Sequence, residues 1–377
     1  MSNICEIGGI HRLKELLVTG NILLVTGKES FKTSGAKKAL ESQLSMEIES
    51  VTQFSDFSIN PKFLDALKGA ELARNENIQM IVAVGGGSVI DMAKLIKAFI
   101  KNAGSEAEIV MGVRKFSDPK IPLIAIPTTA GSGSESTHFA VVYKDNEKYS
   151  LADECLLPDR YILDGNLIGS GSNYQKKCQA LDALAQSIES AWAIGSTEIS
   201  RADSFNAISK LWKLIPEVMN RIDYDPNEMQ ELLEGANLAG KAINVSKTTA
   251  AHAWSYAITG QCGLPHGHAV WITLPKIFQI HANALEHEVV DPRGLEHLRN
   301  VMNNICKLLG IENPKNAKLE LEKFLTSLGL DYEFNVIGLP SEEERLNISR
   351  KVNEQRLSNN PVSLLSHTPF IFDYNNS

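Results

Sequence analysis

The fold is decided by the stretch IQMIVAVGGGSVIDMAK, residues 78–94. Its first part, 78–84, is apolar and rich in β-branched side chains, which is typical of a buried strand. Three glycines stop that strand, and helical spacing of apolar residues returns over 88–101. A strand, a glycine turn and a helix in this order predict part of a βαβ unit.

Both sides of this stretch continue the alternation of strand and helix patterns. Such alternation indicates a parallel sheet with helices on its faces. The predicted strands are 21–26, 48–54, 121–126 and 161–164, with a hairpin of 139–143 and 148–151, and the predicted helices are 33–44 and 60–75.

The second half of the chain differs, because almost no strand pattern follows residue 173. We therefore expect an α/β protein with an N-terminal Rossmann-like parallel-sheet domain, 1–168, and an all-α helical-bundle domain, 169–377. One surface helix and an irregular end are expected in the polar tail, 340–377. The other predicted helices are 173–194, 198–221, 227–242, 247–261, 267–285, 294–309 and 315–328.

Composition narrows the class of protein. The 377 residues carry a formal net charge of −8, from 37 basic and 45 acidic side chains. This balance argues against a general nucleic-acid binder, which needs a basic face. No apolar run approaches the roughly 18 residues of a membrane span, and no signal peptide is visible. The five cysteines form no CxxC pair, which is typical of a cytoplasmic protein.

Two loops have the composition of a dinucleotide-binding site. The glycines at 85–87 let the backbone approach a pyrophosphate, and the next helix directs free N–H groups at it. The loop at 127–135, PTTAGSGSE, is rich in hydroxyls and follows another strand, so both loops are expected at one sheet edge. Each loop alone is equally consistent with a tight turn or a polar surface. The candidate cofactor contacts are Gly86, Gly87, Ser88, Asp91, Thr128, Thr129, Ser132 and Ser134.

A third loop, Gly27-Lys28-Glu29-Ser30, concerns the choice between NADP(H) and NAD(H). An acidic residue at such a strand end holds the ribose 2′-hydroxyl of NAD and repels a 2′-phosphate. Glycine and lysine come first here, which favours NADP(H), whereas Glu29 argues the other way. Both cofactors stay open, and Gly27, Lys28 and Ser30 are candidate contacts.

The helical half contains a candidate metal site. Asp182 and Gln186 lie four residues apart and share one helix face. His252 and His266 lie on two helices separated by a Gly-Leu-Pro break. One carboxylate and two imidazoles leave an open position on a divalent ion, as a catalytic site requires. Taken singly, each residue is more often an ordinary surface or core residue, so only the joint pattern supports the hypothesis.

In combination, these segments resemble the iron-containing (group III) alcohol dehydrogenase family over about residues 5–330. The resemblance implies NAD(P) bound by the two glycine loops, a helical C-terminal domain, and a cleft between the domains. It also implies a divalent metal, Fe²⁺ or Zn²⁺, held by one Asp and three His. The motifs that carry it are GGGSVIDMAK (85–94), IPTTAGSGSE (126–135), ALDALAQSIES (180–190), the His252 segment, LPHGHAV (264–270) and Lys148.

Three positions acquire roles from this resemblance. Gln186 stands where the family has a third histidine, and an amide oxygen is a weaker donor than imidazole. The site therefore holds a different metal, uses three ligands and water, or binds loosely. Lys148 matches the family's active-site lysine and is expected near the nicotinamide. His268 is expected to face substrate or cofactor, and the proton for the product is expected to come from water, through His268, or from a nearby hydroxyl.

Within the family, the nearest resemblance is to reductases of phosphonate-bearing aldehydes. It rests on VTGKESFKTSGA (25–36), FSDFSINPK (54–62) and GKAINVSKTTAAHAWSYAITG (240–260). A phosphonate needs a cation and several donors near the metal, and Lys241, Asn244, Lys247 and Thr248 precede His252 by one to three turns. Lys247 is also consistent with a solvated helix charge. The expected partner is a small aldehyde or alcohol, without nucleic acid or membrane, and related enzymes suggest a homodimer.

Three alternatives remain open at this point. The first is another reductase of the family that acts on a neutral diol or a sugar acid. The second is a cyclase similar to dehydroquinate synthase, which uses NAD only transiently. The third is a catalytically silent binding protein, which only Gln186 suggests.

Overall fold

A computed structural model describes the chain in two compact units. Unit 1 comprises Met1–Gly171 and Tyr224–Gly240, and unit 2 comprises Ser172–Asp223 and Lys241–Ser377. The described residues are 2–18, 20–41, 50–145, 147–221, 223–352 and 354–374.

Segment 224–240 groups with unit 1, although the sequence pattern had assigned it to the helical domain. Two contacts explain this grouping. Gln230 Oε1 accepts the backbone N–H of Gly165 at 2.7 Å. Gly133 packs so closely on Gly240 that a Cβ added to Gly133 would lie 2.5 Å from the Cα of Gly240.

Unit 1 contains a six-stranded sheet of order β1-β8-β5-β4-β2-β3, in which the described strands pair in parallel. This confirms the predicted parallel-sheet domain. An antiparallel hairpin, β6–β7, forms a separate sheet. The strands are β1 Ile4–Cys5, β2 Asn21–Thr26, β3 Ser50–Phe54, β4 Met80–Gly85, β5 Leu123–Pro127, β6 Phe139–Lys144, β7 Glu147–Ala152 and β8 Arg160–Leu163.

The register of the sheet brings the candidate cofactor loops together. Thr26 pairs with Val84 and Gly85 pairs with Pro127, so β2, β4 and β5 end at one edge. Alternate side chains of these strands, such as Ile22, form a buried apolar cluster on one face of the sheet. The helices of unit 1 include α1 Ser30–Thr33, α2 Ala36–Glu41, α3 Phe63–Asn75, α4 Gly87–Phe99 and α5 Glu106–Val110.

Local chemistry explains where unit 1 departs from the sequence patterns. The helix predicted at 33–44 is divided at Gly35, which has a φ of +82°; residues 42–49, which include its end and the start of the strand predicted at 48–54, lie outside the described residues. The helix predicted at 60–75 begins only at Phe63, because Asn60 is left-handed with a φ of +65°. Neither β1 nor α5 was predicted.

Unit 2 is helical within its described residues, as predicted. Capping boxes start its first two helices, at Ser172 and Thr197. Among the described residues, no helix is both long and apolar enough to cross a membrane. Its helices are α6 Asn173–Trp192, α7 Glu198–Met219, the end of α8 Pro226–Ser246, α9 Ala250–Cys262, α10 His266–Asn283, α11 Gly294–Leu309, α12 Ala317–Ser327, α13 Glu342–Arg350, α14 Glu354–Leu357 and α15 Thr368–Phe372.

The C-terminal tail is more ordered than the sequence indicated. A single helix with an irregular end was expected, and this prediction is wrong. After α13, the short helices α14 and α15 follow, and Ile371 and Phe372 are fully buried. Lys276 Nζ also donates to the backbone carbonyl of Ile371 at 3.1 Å. The tail is therefore a packed part of unit 2.

Candidate functional site

Helices α6, α9 and α10 bring Asp182, His252 and His266 together in unit 2. Asp182 Oδ1 lies 3.4 Å from His252 Nε2 and 3.8 Å from His266 Nε2. The three candidate ligand atoms lie within 4.8 Å of one another. Close helix packing makes this possible, because a Cβ at Gly267 would lie 1.9 Å from the carbonyl oxygen of Cys178 on α6.

Gln186 lies beside this cluster and is 5% exposed. Its Nε2 donates to Asp182 Oδ2 at 3.1 Å, and this donation fixes which end of the amide faces the carboxylate. Its Oε1 is buried without a hydrogen-bond partner among the described residues, and the same holds for His252 Nε2. Buried polar atoms without partners are costly, so both atoms fit a site that receives a cation.

A buried carboxylate orients His252. Glu189 is fully buried, and its Oε2 accepts from Nδ1 of His252. Its Oε1 accepts from Thr249 Oγ1 at 2.7 Å and from the Ala251 N–H at 2.9 Å. Burial opposes charge on His252, but the Glu189 and Asp182 carboxylates outweigh it and raise the pKa of His252 to about 10. A metal ion would therefore displace a proton from this imidazole.

The sequence reasoning had not assigned Glu189 to the site. A signal was present, because Glu189 lies three residues after Gln186 and seven after Asp182, on the same helix face. A metal-bound histidine usually donates its other ring N–H to such a carboxylate. We therefore add Glu189 as a positioning residue.

His266 is held by its neighbours on α9. Its Nδ1 lies 3.2 Å from Ser255 Oγ. The ring of Tyr256 stacks on it, with centroids 5.0 Å apart and planes 17° apart. These contacts fix the ring and leave its Nε2 on the side of Asp182.

His268 does not join this cluster. Its Nε2 lies 2.6 Å from the carbonyl oxygen of Asp331, and its Nδ1 lies 2.9 Å from Tyr174 Oη. The ring is 4% exposed, and burial lowers its pKa. Because both ring nitrogens already have partners, the geometry argues against the predicted role of His268 in proton transfer.

The predicted substrate residues lie where α8 ends. Asn244 is on α8 and half-buried, while Lys247 is exposed in a left-handed conformation, with a φ of +60°. That conformation costs a residue with a Cβ roughly 1–2 kcal/mol. Thr248 follows Lys247, and Asn359 Nδ2 donates to its carbonyl oxygen at 3.0 Å.

In unit 1, the two glycine loops contact each other. The Thr128 N–H donates to the carbonyl of Gly85 at 3.1 Å. A Cβ at Gly87 would lie 2.5 Å from Ser132 Oγ, and one at Gly86 would lie 3.1 Å from the Thr129 side chain. Thr128 Oγ1 is buried without a hydrogen-bond partner among the described residues. Helix α4 begins between these loops with no side-chain cap, so its N–H groups suit a pyrophosphate.

The first turns of α4 hold the loop at 127–135 by hydrogen bonds. Asp91 accepts from Ser134 Oγ at 2.6 Å and from the Val141 N–H at 3.1 Å. Burial raises the pKa of Asp91, while the nearby charge of Lys94 and, to a smaller extent, that of Lys148 oppose this. Asp91 and Ser134 thus pair with each other, and Lys148 lies on β7 near them.

Lys94, to which the sequence assigned no role, also holds this loop by hydrogen bonds. It is fully buried, and its Nζ donates to the carbonyls of Ser134, Thr137 and Phe139 at 2.7, 2.8 and 2.9 Å. Burial lowers the pKa of Lys94 to about 8. One ammonium group therefore sets the shape of the loop that follows β5.

Lys28 lies at the end of β2, next to the glycine-loop strand. Its Nζ pairs with Asp56 Oδ1 at 2.9 Å, and both side chains are largely exposed. A Cβ at Gly27 would lie 2.3 Å from Ser30 Oγ, so this turn is also tight. Ser88 Oγ accepts from the Asn60 N–H at 3.4 Å.

A Gly87→Ala substitution is expected to weaken NAD(P)H binding about tenfold or more, because the added methyl displaces Ser132 and the loop. Fluorescence titration of the reduced cofactor measures the effect. Gly169→Ala is the matched control, since its Cβ would meet no atom within 4 Å. Unchanged cofactor affinity in Gly87→Ala would contradict the assignment of this loop.

Replacing Gln186 by His is expected to raise the affinity for Zn²⁺ or Co²⁺ on the order of tenfold, since imidazole is the stronger donor. Competition with a chromophoric chelator gives the dissociation constant. Gln261→His, at an exposed position on α9, controls for an added surface histidine. No gain in affinity would mean that residue 186 does not reach the ion.

Comparison with known proteins bears on both units. Residues 2–165 match the family described as iron-containing alcohol dehydrogenase, and residues 178–368 match its C-terminal domain. A crystal structure of sulfoacetaldehyde reductase from Bifidobacterium kashiwanohense in complex with NAD⁺ superposes with a TM-score of 0.84 at 24% identity, covering 99% of this chain and 96% of that chain. That likeness supports the fold.

Curated relatives include enzymes with different substrates in their names. Phosphonoacetaldehyde reductase of Streptomyces viridochromogenes is 32% identical over 260 residues, which are 66% of this chain and 65% of that protein. This match thus spans just under two thirds of the relative's length. Long-chain-alcohol dehydrogenase 1 of Geobacillus thermodenitrificans is 26% identical over 352 residues, 92% of this chain and 86% of that protein.

Proposed function

The chain belongs to the iron-containing alcohol dehydrogenase family, and from this premise we propose that it reduces phosphonoacetaldehyde to 2-hydroxyethylphosphonate with NAD(P)H. One observation carries the proposal: Asp182, His252 and His266 converge within the helical unit whose α8–α9 turn bears Lys247. The similarity to the Streptomyces reductase supports the substrate. The five cysteines are free thiols, which supports the proposed cytoplasmic location.

The residues of both units fit the cofactors that family membership implies. The glycine loops and the uncapped start of α4 suit the pyrophosphate of NAD(P). We assign the divalent ion to Asp182, His252 and His266, with Gln186 Oε1 as a fourth donor. When bound there, the ion supplies Lewis-acid polarisation of a carbonyl oxygen.

The protein's own residues divide the remaining work. Glu189 holds His252 in the tautomer whose Nε2 lone pair is free for the ion. Lys247, Asn244 and Thr248 are the proposed contacts of the phosphonate. The reduction consumes the aldehyde, a hydride of NAD(P)H and one proton, and we assign that proton to water because both nitrogens of His268 are engaged.

An aldehyde panel tests the proposal. Purified protein loaded with Fe²⁺, Zn²⁺ or Co²⁺ is assayed by the loss of NADPH or NADH absorbance. We expect the highest kcat/KM with phosphonoacetaldehyde and lower values with acetaldehyde, propanal and glyceraldehyde. Equal or better turnover of the neutral aldehydes would overturn the substrate, and NAD(P)H that is not consumed would overturn the reductase.

Lys28→Ala is expected to weaken NADPH binding about tenfold and to leave NADH binding unchanged, because only NADPH presents a 2′-phosphate to this cation. The test is to measure the dissociation constants of NADPH and NADH for Lys28→Ala and for the unaltered protein. Lys32→Ala, another exposed lysine, on the helix α1 that follows, is the control. Equal losses for NADPH and NADH would count against a 2′-phosphate contact.

A second candidate function is oxidation or reduction of an uncharged alcohol or aldehyde. This candidate is favoured by the length of one match: the long-chain-alcohol dehydrogenase of Geobacillus matches 92% of this chain, whereas the Streptomyces reductase matches 66%. The same panel separates the two candidates, because an uncharged substrate makes no use of Lys247.

A further inference from the structure

A cation from the C-terminal segment contacts a residue that packs on the metal-ligand cluster of unit 2. Arg356, on α14, donates from its Nη1 to Tyr256 Oη at 2.8 Å, and its guanidinium lies 4.8 Å from the centre of the Tyr256 ring. Tyr256 in turn stacks on His266, 5.0 Å from ring to ring. The ring of Tyr256 therefore lies in contact with both the guanidinium of Arg356 and the candidate metal ligand His266.

The same C-terminal segment fixes the turn that carries Lys247. Asn359 Nδ2 donates to the carbonyls of Ser246 and Thr248 at 2.8 and 3.0 Å, on both sides of Lys247. Asn359 Oδ1 accepts from the Gly195 N–H at 2.9 Å. Arg356 and Asn359 thus both contact α9 or the turn before it, so this segment positions one cation and supplies another.

The charges of the ion and of a phosphonate substrate indicate why a second cation, besides Lys247, would be needed. The carboxylates of Asp182 and Glu189 together offset the charge of a divalent ion. A phosphonate carries between about one and two negative charges at neutral pH, somewhat fewer than a phosphate monoester. Lys247 offsets one of them, and a guanidinium offers two parallel N–H groups to a tetrahedral oxyanion.

We propose that Arg356 is the second cation of an oxyanion subsite and selects aldehydes with a charged head group. The inference rests on the proposed function and extends it to a residue outside the segments that carried the resemblance to phosphonate-bearing substrates. Phosphorus is three bonds from the carbonyl oxygen in phosphonoacetaldehyde, so the head group must bind close to the ion. A purely structural Arg356 would only anchor α14 on Tyr256.

Three variants separate these roles. Arg356→Gln removes the charge and keeps a polar stem, Arg356→Lys restores the charge without the planar fork, and Arg350→Gln removes an exposed arginine of α13 as the control. KM and kcat are measured for phosphonoacetaldehyde and for propanal, together with bound metal. We expect Arg356→Gln to raise KM for the phosphonate at least about tenfold, Arg356→Lys to recover part of it, and propanal kinetics and metal content to stay unchanged.

Two results would overturn the inference: an unchanged phosphonate KM in Arg356→Gln, or an equal KM increase for both aldehydes, which a structural anchor predicts. Failure of the proposed function gives a different result from failure of this inference. If the proposed function fails, the unaltered protein turns over propanal but not phosphonoacetaldehyde. In that case, methylphosphonate is tested as an inhibitor of propanal reduction. Inhibition that weakens in Arg356→Gln and not in Arg350→Gln supports an oxyanion subsite, whereas equal or absent inhibition refutes it.

Discussion

Asp182→Asn is expected to lose its divalent ion and to reduce aldehydes about a thousandfold more slowly, because the lost charge stabilisation is worth several kcal/mol. Oδ1 of Asp182 lies 3.4 Å from His252 Nε2 and 3.8 Å from His266 Nε2. Its Oδ2 also fixes the amide of Gln186. A neutral amide at this position removes the only negative charge among the proposed ligands.

Metal analysis after dialysis and kcat/KM with saturating metal are the two measurements for Asp182→Asn. Circular dichroism and a melting curve verify that the variant folds. Asp223→Asn, an exposed carboxylate of the same unit, is the matched control. Retention of the metal at wild-type affinity would refute Asp182 as a ligand.

Glu189→Gln is expected to weaken metal binding about 10- to 100-fold, which is the usual effect of removing the partner of a metal-bound histidine. Glu189 now accepts the Nδ1 proton of His252. If the new amide oxygen keeps the bonds from Thr249 and Ala251, the NH₂ group faces His252 Nδ1. The imidazole must then move its proton to Nε2, and this blocks the lone pair that would bind the ion.

Chelator competition and the visible spectrum of the Co²⁺-loaded protein report on this change directly. A merely structural Glu189 would lower the melting temperature without altering the spectrum of whatever Co²⁺ remains bound. Glu217→Gln, an exposed position on α7, serves as the control. An unaltered spectrum together with wild-type Co²⁺ affinity would remove Glu189 from the site.

Sequence patterns were sufficient where the local signal and the tertiary role coincide. Apolar runs ending in glycine or proline predicted β2, β4 and β5, and parallel pairing then placed their loops at one edge. The spacing of Asp182, His252 and His266 suggested a site because carboxylates and imidazoles are metal-binding groups. Their convergence required the packing of α10 on α6 at Gly267.

The residues that sequence reasoning missed act through contacts that no local pattern encodes. Lys94 and Glu189 resemble ordinary helix charges until burial shows which carbonyls and N–H groups they hold. Arg356 lies in a polar tail whose docking depends on residues far away in the chain. His268 is the converse case, since its position next to the metal motif suggested chemistry that its two hydrogen bonds oppose.

The ligands of the candidate metal site are distributed over helices that only the finished fold brings together, with Asp182 on α6 and the histidines on α9 and α10. A denatured chain cannot present such a constellation, so ion occupancy and folding of unit 2 form one linked equilibrium. Resistance of this unit to heat should therefore increase with the free concentration of the ion. In a cell, metal supply would determine the lifetime of the protein as well as its turnover.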